Sequence, residues 1–225
     1  MNIFPLKFVL QEGHQTKMAK LYFKYGAMGS SKSAQALITK FNYEERGMQV
    51  WLIKPAVDDR DGADIIKSRI GLNQKAQIIR PDDSIEEILR IKTKKAAEGS
   101  GEKIDVIISD ESQFFTVEQI DELRRIVDLL DIPVLCFGLR TDFRTKLFPG
   151  SLRLFELADS ITEIKTICDC GKKATVNARI AGGKVVTSGE QVFLGGNEAY
   201  VAMCHSCWKK RIAREAEEKN KTGNP

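Results

Sequence analysis

The chain has 225 residues, of which 42% are hydrophobic and 29% are charged, with 35 basic and 31 acidic side chains. This composition predicts one or two packed domains and excludes wholesale disorder. The net charge of +4 is too small to indicate a nucleic-acid or membrane partner, and we predict neither. No apolar run approaches the roughly 20 residues that cross a bilayer, and residues 1–17 are too polar for a signal peptide. We therefore predict a cytoplasmic protein.

Strands and helices alternate along most of the chain. Residues 1–17 carry little pattern and are interpreted as a loose N-terminal extension. Over residues 18–163, strands are predicted at 20–26, 50–53, 77–80, 105–109 and 133–139, and helices at 33–46, after Ser84 and after Thr116. Ser84 and Thr116 each begin a capping box, because Glu87 and Gln119 follow three residues later. This alternation predicts an α/β fold with a doubly wound, mainly parallel sheet.

The pattern changes near residue 164. Two β-branched segments flank the turn at residues 181–183 and predict a β-hairpin. Two cysteine pairs bracket residues 164–208, a unit too small to hold a core without a covalent or metal staple. We predict a small second domain there, followed at 209–225 by a charged tail that begins as a helix.

The turn between the first strand and the first helix resembles a phosphate loop. It consists of Gly26, Ala27, Met28, Gly29, Ser30, Ser31, Lys32 and Ser33. The pattern G-x-x-x-x-G-K-[ST] is kept at Gly26, Lys32 and Ser33, but Ser31 replaces the second glycine. Backbone amides at a helix N-terminus bind phosphate, the lysine adds a positive charge, and the hydroxyl reaches Mg²⁺. The alternative is an ordinary helix start with serine caps.

Two adjacent carboxylates end a strongly apolar strand. Asp110 and Glu111 follow the segment at residues 105–109. In a phosphate-loop enzyme, an aspartate at this position binds Mg²⁺, and a neighbouring glutamate can accept a proton from a hydroxyl or a water. The alternative is a solvated strand end. Together with the loop upstream, the pair predicts an enzyme that uses ATP or GTP.

Four of the five cysteines lie in two tight pairs. These are Cys168, Cys170, Cys204 and Cys207. Four thiolates from two short turns suit a tetrahedral Zn²⁺ ion with every position filled, which is a structural site. The Cys-x-Cys spacing of the first pair is shorter than usual, and the alternative is four unrelated thiols. Cys136 lies alone in an apolar strand and is predicted to be buried.

Five segments in register carry a family resemblance over about residues 18–208. They are GAMGSSKS, DESQFF at 110–115, GLRTDF at 138–143 with Phe148 downstream, LGGNEAYVAMCHSC, and the paired cysteines. In this order they resemble the type II thymidine kinases. The resemblance implies a RecA-like phosphate-loop domain, ATP as phosphate donor, thymidine as acceptor, and a lasso loop anchored by structural Zn²⁺. It also implies a homotetramer inhibited by dTTP.

The resemblance assigns roles to individual residues. Glu111 is similar to the family's general base, and Lys32 and Asp110 are similar to its phosphate-binding and magnesium-binding residues. Arg60 resembles an arginine near the reacting phosphate. Positions that contact the nucleoside match Met28, Phe114, Leu139, Phe143, Phe148, Phe193, Gly195 and Tyr200.

Two other classes of protein remain open from the residues alone. A phosphate-loop NTPase that moves a partner would need a water-positioning residue and a larger interface module. A zinc ribbon that binds nucleic acid would need a basic face with stacking aromatic side chains, whereas residues 164–208 contain few arginines.

Overall fold

The structure, a computed structural model, describes residues 19–56, 64–97, 99, 103–191 and 199–222. The predicted extension at 1–17 lies outside these residues. The strands are β1 (Leu21–Tyr25), β2 (Val50–Pro55), β3 (Ile65–Lys67), β4 (Asn73–Lys75), β5 (Gln77–Ile79), β6 (Val106–Ser109), β7 (Val134–Gly138), β8 (Ser160–Glu163), β9 (Val176–Ala181), β10 (Lys184–Val185) and β11 (Tyr200–Met203). The helices are α1 (Lys32–Glu44), α2 (Ile85–Ala97), α3 (Val117–Leu130), α4 (Pro149–Leu157) and α5 (His205–Thr222).

A parallel sheet of six strands forms the centre, in the order β5-β2-β6-β7-β1-β8. Every residue of β6 and β7 is buried, as expected for strands covered on both faces. Successive side chains point to opposite faces, so Ile107 packs in one core while Val106 and Ile108 pack in the other.

Helices cover both faces of this sheet. α2, α3 and α4 contribute Ile85, Ile120 and Leu154 to the first core, and α1 contributes Ala36 and Leu37 to the second. The doubly wound α/β prediction is therefore confirmed. The capping box at Thr116 is present, because the Gln119 amide donates to the Thr116 hydroxyl and the Gln119 side chain accepts from the Thr116 amide.

The outer part of α1 differs from the sequence prediction. Helical periodicity places Ile38 and Phe41 on the same apolar face as Ala34 and Leu37. In the structure Ala34 and Leu37 are buried, but Ile38 is 46% exposed and Phe41 is 58% exposed. Periodicity identifies the apolar stripe of a helix but not how much of that stripe the neighbouring elements cover. In this helix Ala34 and Leu37 are covered, whereas Ile38 and Phe41 are not.

The C-terminal unit contains a three-stranded antiparallel sheet in the order β10-β9-β11. The predicted hairpin is present, and Gly182 and Gly183 both adopt positive φ angles in its turn. Cys168, Ala178 and Met203 form a small core of their own beside this sheet. Among the residues that the structure describes, no helix is both long and apolar enough to cross a membrane.

Candidate active site

The predicted phosphate loop connects β1 to α1 at the carboxyl edge of the parallel sheet. Gly26 must be glycine, because a Cβ atom there would collide with the Ile164 carbonyl oxygen and the Ser30 side chain. Gly29 has a φ of 75° and Ser31 a φ of 63°, so both lie in the left-handed region. Ser31 makes no side-chain hydrogen bond as the N-cap of α1. The serine that replaces the motif's second glycine therefore holds a conformation that glycine adopts more easily.

Lys32 lies under the loop with its ammonium group buried. Its Nζ donates to the Ala27 carbonyl oxygen at 3.0 Å and lies 3.5 Å from the Ser30 hydroxyl. Burial lowers the pKa of Lys32, while the negative charges of Glu111 and Asp110 oppose that shift. The lysine is therefore held in the loop by local hydrogen bonds, within electrostatic range of the two carboxylates.

Asp110 follows β6 and is only 4% exposed. Its Oδ1 atom has no hydrogen-bond partner among the described residues. Burial and, after it, the negative charge of Glu111 together raise the pKa of Asp110 to about 7, against a hydrogen bond from Ser33. A buried carboxylate oxygen without a donor, beside a hydroxyl, has the chemistry of a divalent-cation ligand. The sequence-predicted magnesium ligand therefore fits a cation at this position.

Glu111 lies in the left-handed region with a φ of 51° and begins the short 3-10 turn Ser112–Phe114. Gln113 holds its carboxylate, because the Gln113 Nε2 donates to the Glu111 Oε2 at 2.6 Å. The other end of the same carboxamide accepts from the Leu139 amide at 2.9 Å. Gln113 is 1% exposed, so this bridge fixes Glu111 against the end of β7. Sequence reasoning did not identify Gln113.

One open cavity brings most of the predicted site residues together. The predicted residues that line it are Met28, Gly29, Ser31, Lys32, Ser33, Asp110, Glu111, Phe114, Leu139, Phe143, Phe148 and Tyr200. Gly26, Ala27 and Ser30 are buried behind the loop and do not line the cavity. Arg60, Phe193 and Gly195 lie outside the described residues.

Several buried polar residues line the same cavity without having been predicted. They are Lys54, Gln113, Thr141, Asp142 and Asn177. The hairpin of β3 and β4 was not predicted either, and Lys67 and Arg69 from it also line the cavity. The Lys54 Nζ donates to the Ile65 carbonyl oxygen at 3.2 Å, which ties this hairpin to the end of β2.

Aromatic side chains also line this cavity, and we call Phe114, Phe143, Phe148 and Tyr200 the aromatic wall. Phe114 and Phe148 meet edge to face with ring centroids 5.5 Å apart. The Arg179 guanidinium lies 3.8 Å from the centre of the Phe143 ring, and its Nε donates to the Tyr200 hydroxyl at 3.0 Å. Arg179 therefore orders two aromatic residues at once, by a cation–π contact and a hydrogen bond. Nothing in the sequence pattern marks it.

The four paired cysteines converge in the C-terminal unit. Their sulfur atoms all lie within 4.8 Å of one another. The Cys207 amide donates to the Cys204 Sγ at 3.4 Å, and this bond, with weaker contributions from the other cysteine side chains, lowers the pKa of Cys204 to about 7. A lowered thiol pKa favours the thiolate that binds metal. His205 is not part of the cluster, and its ring packs edge to face on Trp208. The cluster could hold a metal ion despite the short Cys-x-Cys spacing.

The parallel sheet, the loop between β1 and α1, and the carboxylates after β6 define an α/β protein of the phosphate-loop class with a second, four-cysteine unit. A family model described as thymidine kinase matches residues 19–208. The thymidine kinase of Ruegeria pomeroyi is 46% identical over 194 residues, which cover 86% of this chain and 95% of that protein. The thymidine kinase of Legionella pneumophila is 46% identical over 208 residues, covering 92% and 97%.

This chain belongs to the thymidine kinase family. The predicted family, function and enzyme class are therefore confirmed, and the chain is an ATP-dependent kinase. Among solved structures, the Pif1 helicase from Candida albicans covers 67% of this chain and 36% of its own length, with 17% identity and a TM-score of 0.39. That likeness is too weak to bear on the function.

Proposed function

We propose that Glu111 is the general base when this thymidine kinase transfers the γ-phosphoryl group of ATP to the 5′-hydroxyl of thymidine. The supporting observation is that the phosphate loop, two carboxylates and an aromatic wall all line one cavity. A primary hydroxyl is a poor nucleophile at neutral pH, so a positioned carboxylate accelerates its attack. The Gln113 bridge supplies that positioning.

The 5′-oxygen forms a bond to the γ-phosphorus while the bond from that phosphorus to the β,γ-bridging oxygen breaks, and ADP leaves with the electron pair. Glu111 takes the hydroxyl proton. Lys32 and the loop amides neutralise charge on the phosphoryl oxygens. Arg60 lies outside the described residues, and we propose from the sequence resemblance that it lies near the transferred phosphate.

The residues around Asp110 would hold Mg²⁺, with the Ser33 hydroxyl beside it. When bound, the ion would neutralise phosphate charge that the protein side chains leave uncompensated. The nucleoside would lie against Met28, Leu139 and the aromatic wall, because an apolar wall suits a thymine ring and its methyl group. Phe193, Gly195 and Tyr200 are proposed to cover the base.

The four cysteines are proposed to hold a structural Zn²⁺ ion. Four thiolates in one cluster leave no open position for substrate, which fits a structural role better than a catalytic one. A site of this kind requires reduced cysteines, which supports the cytoplasm as the compartment.

We propose a homotetramer and feedback inhibition by dTTP. The exposed Ile38 and Phe41 on α1 support self-association, since large apolar side chains that share a helix face favour burial against a partner. dTTP combines the nucleoside of one substrate with the triphosphate of the other, so it fits both sides of the cavity. Light scattering during gel filtration tests the tetramer, and inhibition kinetics against both substrates test dTTP.

The decisive experiment supplies ATP, Mg²⁺ and each nucleoside separately, and measures nucleoside monophosphate and ADP. We expect thymidine monophosphate and ADP in equal amounts. Glu111→Gln should lower turnover by roughly 10²–10⁴-fold with ATP binding nearly unchanged, whereas Glu118→Gln, on an exposed glutamate of α3, should keep full activity. Activity of the Glu111 variant within a few-fold of the parent would remove Glu111 from this role. ADP release without an acceptor would favour the NTPase alternative.

A further inference from the structure

Asn177 connects the C-terminal unit to two loops of the main sheet. It lies on β9 and is 3% exposed. Its Oδ1 accepts a hydrogen bond from the Met28 amide at 2.8 Å, across 149 positions of sequence. Its Nδ2 donates to the Thr141 carbonyl oxygen at 2.8 Å, across 36 positions. A single buried carboxamide thus joins the phosphate loop to the loop after β7.

Both hydrogen bonds depend on the chemistry of a carboxamide. One end must accept from an amide and the other must donate to a carbonyl. An aspartate side chain has the same shape but two accepting ends, so it would face the Thr141 carbonyl oxygen with a negative charge. A leucine side chain has the same number of heavy atoms in a similar branched shape, although it is larger, and it makes neither bond. Buried polar groups that lose a partner are costly, so the pairing is specific.

The three segments that meet at Asn177 all carry residues that line the cavity. Met28 belongs to the phosphate loop, and Thr141 lies between Leu139 and Phe143 on the nucleoside side. On the neighbouring strand β11, Ala202 is the register partner of Asn177, and Tyr200 lies at the start of that strand. Asn177 therefore bonds directly to two of the loops that line the cavity and lies on the strand paired with β11, which carries Tyr200.

We propose that Asn177 is a positioning residue for phosphoryl transfer, which holds the phosphate loop at a fixed distance from the nucleoside side of the cavity. This inference rests on the proposed assignment of residues 26–33 as the loop that binds ATP. An in-line transfer between two separately bound substrates is sensitive to misplacement of about 1 Å. Because the Met28 amide bonds to Asn177, it supports the loop from outside instead of binding phosphate.

The test compares Asn177→Asp and Asn177→Leu with Asn42→Asp, on an exposed asparagine of α1. Steady-state kinetics are measured on protein whose folded fraction and metal content have been determined. We expect both Asn177 variants to lower kcat roughly ten- to hundredfold per folded enzyme and to raise the KM for ATP, with Asn177→Asp the more severe. The Asn42 variant should match the parent. If the Leu variant does not fold, Asn177→Ser replaces it, and an intermediate loss of kcat is expected.

Two results would overturn the inference. One is a kcat and a KM within twofold of the parent in either folded Asn177 variant. The other is a loss of activity that follows the loss of folded protein, with kcat per folded enzyme unchanged. Lys32→Met in the same assay separates this inference from the proposed function. If Lys32→Met abolishes ATP binding while the Asn177 variants behave as the parent, only the role of Asn177 is wrong. If Lys32→Met leaves the KM for ATP unchanged, the phosphate-loop assignment fails and the inference fails with it.

Discussion

Replacing Asp110 with asparagine should stabilise the ligand-free enzyme above neutral pH while impairing its use of Mg²⁺. The pKa of Asp110 is raised from 3.8 to about 7, first by burial and then by the charge of Glu111. The folded protein therefore keeps a proton that the unfolded chain loses as the pH rises above 3.8. The free energy of unfolding falls over that interval, by about 1.4 kcal/mol per pH unit, until the folded carboxyl also ionises near pH 7.

The total penalty on the parent is about 4 kcal/mol above pH 7. Asparagine cannot ionise, so the stability advantage of Asp110→Asn should grow by about 2 kcal/mol between pH 5.5 and pH 8. Urea unfolding of both proteins without nucleotide or Mg²⁺ measures this difference. The matched control is Asp82→Asn, on an exposed aspartate before α2.

An advantage that stays constant across this pH range would refute the account of Asp110, as would a parent at least as stable as the variant at pH 8. Loss of the carboxylate should also raise the Mg²⁺ concentration needed for half-maximal activity. Asp110 is therefore expected to lower the stability of the ligand-free enzyme while serving its function. Burial of the ionised carboxylate destabilises the protein without a cation, and the same buried carboxylate favours the binding of a cation.

Two further predictions follow from the loop and the cysteine cluster. Ser31→Gly should raise the free energy of unfolding by roughly 0.5–1 kcal/mol, because glycine relieves the left-handed conformation although it loosens the unfolded chain. Thermal melting and the KM for ATP test this, and a less stable variant would contradict the strain. Cys204→Ser should lose the bound metal and raise the KM for thymidine. Through Asn177 it should also raise the KM for ATP. The control variant Cys136→Ala should keep its metal, because Cys136 lies outside the cluster. Elemental analysis tests this, and less than half a zinc per chain in active parent enzyme would refute the zinc assignment.

The parts of the fold that could be predicted are those with a local signal. The apolar segment before Asp110 is buried on both faces as its composition indicates, and the Thr116 capping box forms where three-residue spacing places it. The convergence of four cysteines also followed from their pairing. By contrast, β3 and β4 are only three residues long, and all residues of β4 are exposed, so no alternation of apolar and polar residues marks the hairpin.

The cavity shows why the remaining site residues could not be found in the same way. Gln113, Asn177 and Arg179 act through partners that the fold brings together. Gln113 joins Glu111 to Leu139, which lies 26 positions from Gln113 in sequence. Asn177 contacts Met28, which lies 149 positions away. Neither periodicity nor a short sequence motif marks a side chain that has such a role. The residues of the phosphate loop are recognisable because their partners are adjacent in sequence, whereas these three are defined only by tertiary contacts.

The contacts of Asn177 also connect the two units of the chain. The sequence places the phosphate loop and the cysteine pairs in different units and gives no reason for one to depend on the other. In the structure, Cys204 follows Met203, Met203 pairs with Val176, and Val176 precedes Asn177. The proposed metal site is therefore connected to the phosphate-loop amide of Met28 through one strand pairing and one hydrogen bond. If a metal at the four cysteines orders β9 and β11, it also fixes the loop proposed to bind ATP, so removal of the metal should lower the affinity for ATP.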